Sequence, residues 1–158
     1  MSLGNLFTRD SVVHNISVSS KKQLLQELVK IAERDDALTA CGETRDLLAA
    51  VLERERLGTT GIGSGVAIPH ARIPNLCKLC AVFATLDKPI SYDAVDDRPV
   101  DIAVLLLAPE NAGSEHLRAL AQVSRALRRE DFRTRLRAAP SAEALYLMLT
   151  EGEHSNAA

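Results

Sequence analysis

The sequence predicts a single α/β domain of three layers, a mixed β-sheet held between helices. Three observations carry that expectation. Two short, strongly apolar runs, "CAVFATL" and "VDIAVLLLAP", are bounded by turn residues and suit strands buried on both faces. Segments with apolar residues at helical spacing precede and follow them, so strands and helices interleave. The middle strands lie too close together in the chain for helical crossovers, so the sheet is mixed rather than all parallel. At 158 residues one domain, residues 1–158, accounts for the whole chain.

The elements follow in order. Residues 12–16 are short and β-prone. Ser20 with Gln23 three positions later forms a capping-box pattern, and Leu24, Leu25, Leu28, Val29, Ile31 and Ala32 recur at helical spacing, which predicts a helix to about Arg34. A second helix is expected over residues 44–57, with Leu47, Leu48, Val51 and Leu52 on one side, Glu53, Arg54, Glu55 and Arg56 in its last turn and Gly58 as its stop. The glycine stretch then leads into an extended segment at 66–68. Pro69 and Pro74 break regular structure around His70, which is expected in a restrained turn. After the two apolar strands, with "PISYDAVDDRPV" as a turn or short edge strand between them, the rest is helical. Ser114 is placed to cap a helix to about Arg129, with Leu117, Leu120, Ala121, Ser124 and Leu127 along its stripe. A shorter piece over 131–138 and a last helix capped by Ser141, carrying Leu145, Met148 and Leu149, precede a tail at about 152–158 that is expected to fray.

Composition narrows the function. Hydrophobic residues are 46% and charged residues 25%, as in an ordinary globular protein, while aromatics are only 3%, so the core is aliphatic. A net charge of −2 leaves no global footprint for nucleic acid or an anionic membrane, and any anion must be met locally. No apolar stretch approaches the ~20 residues that span a bilayer, and the N-terminus lacks the basic-then-apolar pattern of a secretion signal, so a cytoplasmic protein without membrane insertion is expected. Cys41, Cys77 and Cys80, an odd number, do not make a complete disulfide framework and fit a reducing compartment.

The chemistry concentrates in "GIGSGVAIPHAR", residues 61–72. Its glycines do not make a nucleotide loop. A dinucleotide fingerprint needs G-x-G-x-x-G opening a helix, whereas this stretch has G-x-G-x-G and runs into an extended segment stopped by proline. No G-K-[ST] follows for a P-loop, so a tight turn or bulge is expected. His70, behind Pro69, is open to two interpretations: a surface histidine in a loop, or a nucleophile whose ring nitrogen forms a covalent intermediate, with Arg72 and Arg54 as neighbouring cations. His116 falls in the first turn of the helix after "VDIAVLLLAP", where it is either simply solvated or part of an anion pocket at the helix N-terminus. The "CKLC" motif, residues 77–80, flanks a strand rather than opening a helix and has no second CxxC, so strand-edge thiols are expected instead of a redox pair or zinc site. The basic run "RALRREDFRTRLR" is broken by acids and lacks interleaved aromatics, which suits a solvated helix surface and no nucleic acid.

Taken together, "LLAAVLERERLGTTGIGSGVAIPHAR", "KPISYDAVDDRPVDIAVLLLAPE", "HLRALAQVSRALR" and "LRAAPSAEALYLML" resemble the enzyme IIA domain of the bacterial phosphotransferase system, fructose/mannitol type, with most similarity to its stand-alone nitrogen-regulatory branch. The resemblance covers nearly the whole chain, and residues 61–72 are its most specific part, with Ala71 where the family commonly has glycine. It implies a mixed sheet between helical layers and a phosphoryl group carried on His70. It also implies that His116 orients that group and that Arg54 stabilises its charge. No cofactor or metal is implied. The implied partners are a small histidine phosphocarrier protein as donor and unidentified regulatory proteins as targets. Two other outcomes stay open: a sugar-pathway IIA that passes phosphate to a IIB domain, and a non-catalytic interaction module of the same fold.

Overall fold

The computed structural model describes residues 3–35 and 46–156. Among them, six strands, β1 (Val12–Ile16), β2 (Gly61–Gly63), β3 (Val66–Ala67), β4 (His70–Ile73), β5 (Cys80–Ile90) and β6 (Val100–Pro109), form one mixed sheet. Five α-helices, α1 (Lys21–Ala32), α2 (Leu47–Leu57), α3 (Ser114–Leu127), α4 (Glu130–Arg137) and α5 (Ala142–Asn156), cover its two faces. The strand order is β1-β5-β6-β3-β2, with β4 also pairing β6. Strand β5 runs antiparallel to β6, while β1 is parallel to β5 and both β3 and β4 are parallel to β6.

The apolar runs behave as strands buried on both sides. Along β6, Ala103, Leu105 and Leu107 join the core beneath α1 and α2, whereas Ile102, Val104 and Leu106 join the core beneath α3, α4 and α5. This period of two produces two aliphatic cores and hence three layers.

The first helix starts at the predicted cap: the Gln23 N–H donates to Ser20 Oγ at 3.1 Å. The return bond goes one residue further out, because Gln23 Oε1 accepts from the Ser19 backbone N–H (2.7 Å) and hydroxyl (2.9 Å) instead of from Ser20. In α2 the cap is Asp46, whose carboxylate accepts from Leu48 and Ala49 N–H groups; the predicted start at 44 lies outside the described residues.

The glycine stretch is a hairpin. Strands β2 and β3 pair antiparallel with an irregular register, and Gly63, Ser64 and Gly65 take φ of +103°, +59° and +79°. Arg137, at the end of α4, braces the turn by donating to Ser64 O at 2.7 Å and to both oxygens of Asp101 at 3.0–3.1 Å. Arg133 donates to the Leu127 and Arg128 carbonyls at the end of α3. The basic run therefore includes two bracing arginines as well as solvated ones.

Gly61 packs against the 92–95 segment so closely that an added Cβ would lie 2.8 Å from both Cα and Cβ of Ala94. Two backbones cannot yield there without losing the hydrogen bond from Val95 N–H to Gly61 O (3.0 Å). We expect Gly61→Ala to lower the unfolding free energy by about 1–3 kcal/mol, the usual cost of overpacking. Urea denaturation measures it, and an unchanged midpoint would contradict the packing argument.

Four expectations need correction. His70 is not in a turn: it is the first residue of β4, and Pro69 sits in the gap between β3 and β4, where no ladder N–H is needed, while its carbonyl accepts from Leu106 N–H at 2.9 Å. Helix α3 is capped by Gly113 (φ +64°) without any side-chain bond, and Ser114 is its first residue. Its buried face is His116, Ala119, Val123, Ala126 and Leu127; of the predicted stripe only Leu127 is buried, and Leu117 is 60% exposed. Small Ala119 and Ala126 let the helix sit close to the sheet, which leaves Leu120 partly buried against the core and Leu117 pointing outward. Cys80 carries a free thiol, pushed up to about 11 by burial, but Cys77 is disulfide-bonded, so the expected pair of thiols is reduced to one. Helix α5 is anchored by Leu145 and Leu149, which lie in the core beneath α3, α4 and α5.

Candidate functional site

Residues of β4 alternate across the sheet. Ala71 and Ile73 are buried in the core beneath α1 and α2, so His70 and Arg72 face the other way, toward α3. The chain leaving β6 turns through residues 110–113 and enters α3, which brings His116 beside His70: the two ring centroids are 5.7 Å apart and the planes are inclined at 49°. From the third direction α2 packs against β4, and Arg54 in its last turn acts electrostatically on His70. Of the three residues singled out by sequence, the structure brings the His70 and His116 rings side by side and places Arg54 in the last turn of α2, where its charge acts on His70.

The environment of His70 selects one tautomer. Nδ1 lies 2.7 Å from the carbonyl oxygen of Ile68, and a carbonyl only accepts, so Nδ1 carries the hydrogen and the lone pair of the neutral ring is on Nε2. The ring is half-buried, and burial holds its pKa below the ordinary 6.5. The bond to Ile68 and the charge of Glu55 oppose that shift, while Arg54 adds to it.

His116 is 5% exposed, and its Nδ1 is buried without a hydrogen-bond partner among the described residues. Burial lowers its pKa first, with His70 and Arg72 adding to the effect. Two neutral imidazoles therefore sit together near pH 7. A buried ring nitrogen with nothing to bond is costly unless a polar guest satisfies it.

Two cations face this pair. Arg54 donates to Gly58 O at 3.1 Å, and Arg72 makes only long contacts of 3.4 Å to the carbonyls of Glu110 and Gly113. Among the described residues neither guanidinium meets a carboxylate within ion-pair distance. The first turn of α3 adds N–H groups that no side chain caps. Neutral nitrogens, two guanidiniums without counter-ions and an open helix N-terminus can accept a multiply charged oxyanion covalently held on Nε2.

One group of residues was not foreseen. Glu55, whose side chain is 5% exposed, accepts from the Thr60 N–H (3.2 Å), the Thr60 hydroxyl, the Tyr92 hydroxyl (3.2 Å) and the Lys21 ammonium (2.9 Å). In sequence it is one of four alternating charges in "ERER" and looks like a solvated turn. Its partners come from α1, the residue before β2 and the loop after β5, so only the fold reveals the burial. Tyr92, burial pushing its hydroxyl pKa upward, was the available signal: a tyrosine in a chain nearly without aromatics.

Among the described residues no helix is long and apolar enough to cross a membrane, and no group of three or more His, Cys, Asp or Glu is arranged to hold a metal ion.

Comparison with known proteins places these features in context. Residues 5–152 match the family described as "Phosphoenolpyruvate-dependent sugar phosphotransferase system, EIIA 2". A nitrogen regulatory protein of Bradyrhizobium diazoefficiens is 46% identical over 150 residues, covering 94% of this chain and 95% of that one. Another from Pseudomonas aeruginosa is 37% identical over 153 residues, covering 94% and 95%. The crystal structure of nitrogen regulatory protein IIA-Ntr from Neisseria meningitidis superposes with a TM-score of 0.84 at 34% identity, covering 94% of this chain and 99% of that one.

Proposed function

Because this chain belongs to the phosphoenolpyruvate-dependent sugar phosphotransferase system EIIA 2 family, we propose that it is a cytoplasmic phosphocarrier of the nitrogen-regulatory branch, holding its phosphoryl group on Nε2 of His70. The observation that carries this is the bond from His70 Nδ1–H to Ile68 O, which leaves Nε2 as the free nucleophilic atom beside His116 and two arginines without counter-ions.

The step is an exchange of one N–P bond for another. The lone pair on His70 Nε2 attacks phosphorus on the phosphohistidine of a small carrier protein. The carrier's N–P bond breaks, and its ring nitrogen leaves with the electron pair. The proton stays on Nδ1, donated to the carbonyl of Ile68, which supports the positive charge that forms on the ring. Arg54 and Arg72 stabilise the charge shared among the transferred oxygens, and His116 orients them. Output is a change of partner, since phosphorylation adds about −1.5 to −2 charge at this surface and a partner that binds both forms equally transmits nothing.

Reconstitution with labelled phosphoenolpyruvate, the general phosphotransferase enzyme and its small histidine carrier tests the proposal. Acid-labile label on this chain is expected, and ATP alone should give none. Delivery onward to a sugar-specific IIB domain in the same assay would replace the regulatory output by the sugar pathway.

The rate should also report the ring's protonation. Burial lowers the pKa of His70 below 6.5, so the nucleophilic form is fully present above that value and is lost as pH falls through the lowered one. Transfer should be flat near pH 7 and above, then drop about tenfold per unit once pH passes below the His70 pKa. A rate that rises steadily from pH 6 to 8 would place the pKa too high for this site.

A further inference from the structure

The far end of α3 carries a second recess that the histidine site does not use. It lies between the β2–β3 hairpin and the junction of α3 with α4, and its volume is about 260 Å³. Ile62 and Leu127 give it an apolar lining, while Ser64, Ser124, Arg128 and Arg133 supply polar groups. We propose that this recess binds a small phosphate-bearing ligand, inorganic phosphate or a short phosphate monoester, at a site separate from His70.

The charge balance carries the inference. Arg128 makes no side-chain hydrogen bond or ion pair among the described residues. Arg133 donates through one nitrogen to the Leu127 and Arg128 carbonyls, and its Nε is buried with no acceptor. The carboxylates on the surrounding elements are already matched: Asp101 accepts from Arg137, Asp131 from Arg129, and Asp96 from the Ser64 and Arg98 N–H groups. Glu130, in the first turn of α4, pairs with neither Arg128 nor Arg133. Two guanidiniums without counter-ions therefore stand beside two hydroxyls, of Ser64 and Ser124, that make no hydrogen bond among the described residues.

The ligand class follows from that donor set. A phosphate monoester carries about −1.5 to −2 charge near neutral pH and presents three terminal acceptor oxygens, which suits two cations and two hydroxyl donors. A single carboxylate would leave half of the charge and some of the donors unmet. Ile62 and Leu127 are placed to meet the carbon portion of an ester. The volume lies just under the roughly 300–1,000 Å³ of drug-sized ligand pockets, so the guest is small. Two of the groups are held in advance, because Arg133 is fixed by two carbonyls and Arg137 braces Ser64 through its carbonyl at 2.7 Å. His116 and Arg128 stand at opposite ends of α3, roughly 18 Å apart at 1.5 Å per residue, so both sites can be filled at once.

The test is an NMR titration of the unphosphorylated full chain with sodium phosphate, above neutral pH and at an ionic strength held constant with sodium chloride. It follows backbone amides and arginine Nε–H signals and requires no phosphoryl donor, so it stands or falls separately from the phosphocarrier assignment. Saturable shifts are expected at Ser64, Ser124 and Arg133, and a parallel titration with glycerol 3-phosphate shows by its affinity whether the ester or the free ion is preferred. Arg128→Gln should weaken binding about tenfold or more, the scale of losing a charge-assisted hydrogen bond. The Arg128 side chain holds nothing else in place, so the variant should unfold at the wild-type urea midpoint. Ser124→Ala should weaken binding less, about threefold. Phosphate that also enters the histidine pocket would shift His70 and His116 equally in wild type and Arg128→Gln, which keeps the two sites apart. Shifts that chloride alone reproduces, an equal response to acetate at the same concentration, or unchanged affinity in Arg128→Gln would overturn the proposal.

Discussion

His70→Ala is expected to abolish labelling by the phosphocarrier while leaving the fold standing. The loss should be complete because no neighbour can take over: His116 is 5% exposed, and an arginine does not act as the nucleophile at neutral pH. Structurally the change is mild. The backbone pairing of His70 with Leu106 does not use the side chain, and the bond to Ile68 O is worth about 1 kcal/mol. Peptide mapping of acid-labile phosphate, alongside a urea unfolding curve, separates the two effects. Undiminished label in His70→Ala would remove the residue from its role.

Arg54→Ala should keep the label on His70 but slow its arrival about a hundredfold, the scale of losing a preorganised charge partner at a developing oxyanion. Its only bond in the described structure is to Gly58 O, at the exposed end of α2, so stability should change little. Single-turnover transfer from the labelled carrier, measured together with the lifetime of the phosphohistidine, distinguishes slowed formation from quickened loss. A His116→Ala variant run in parallel should shorten that lifetime, since the ring would no longer orient the oxygens. Wild-type rates in Arg54→Ala would show that Arg72 and the α3 terminus are sufficient.

Most of the architecture was legible because it rests on local patterns. The runs at 80–86 and 100–109 are apolar without alternation, and both faces proved buried, although β5 continues through the exposed Asp87, Lys88 and Pro89, which had pointed to a turn; Ser20, Gly58 and Ser141 punctuate helices where the chain says they should. The three proposed site residues came from the resemblance rather than from local pattern, and the fold sets two of them, His70 and His116, side by side. What escaped was set by tertiary contact. Leucine spacing pointed α3 by its large residues, whereas the helix docks on His116, Ala119 and Val123 because small side chains permit close approach. Prolines flanking His70 suggested a turn, yet a proline can stand at a strand break when its carbonyl still bonds. Glu55 looked solvated because Lys21 and Tyr92, which bury it, are 34 and 37 positions away.

The place of β4 beside β6 has a consequence for how such a carrier is recognised. Strand β6 is buried on both faces and is bonded to β3, β4 and β5, so its amides should exchange with solvent only through the global opening of the protein. His70 is held in register with that strand, and displacing it by local unfolding would require breaking the β4–β6 ladder that runs from His70 to Ile73. A surface anchored in this way presents the same contour with and without its cargo. Adaptation is then left to whatever docks against it, and a protein with several clients can offer all of them one rigid template.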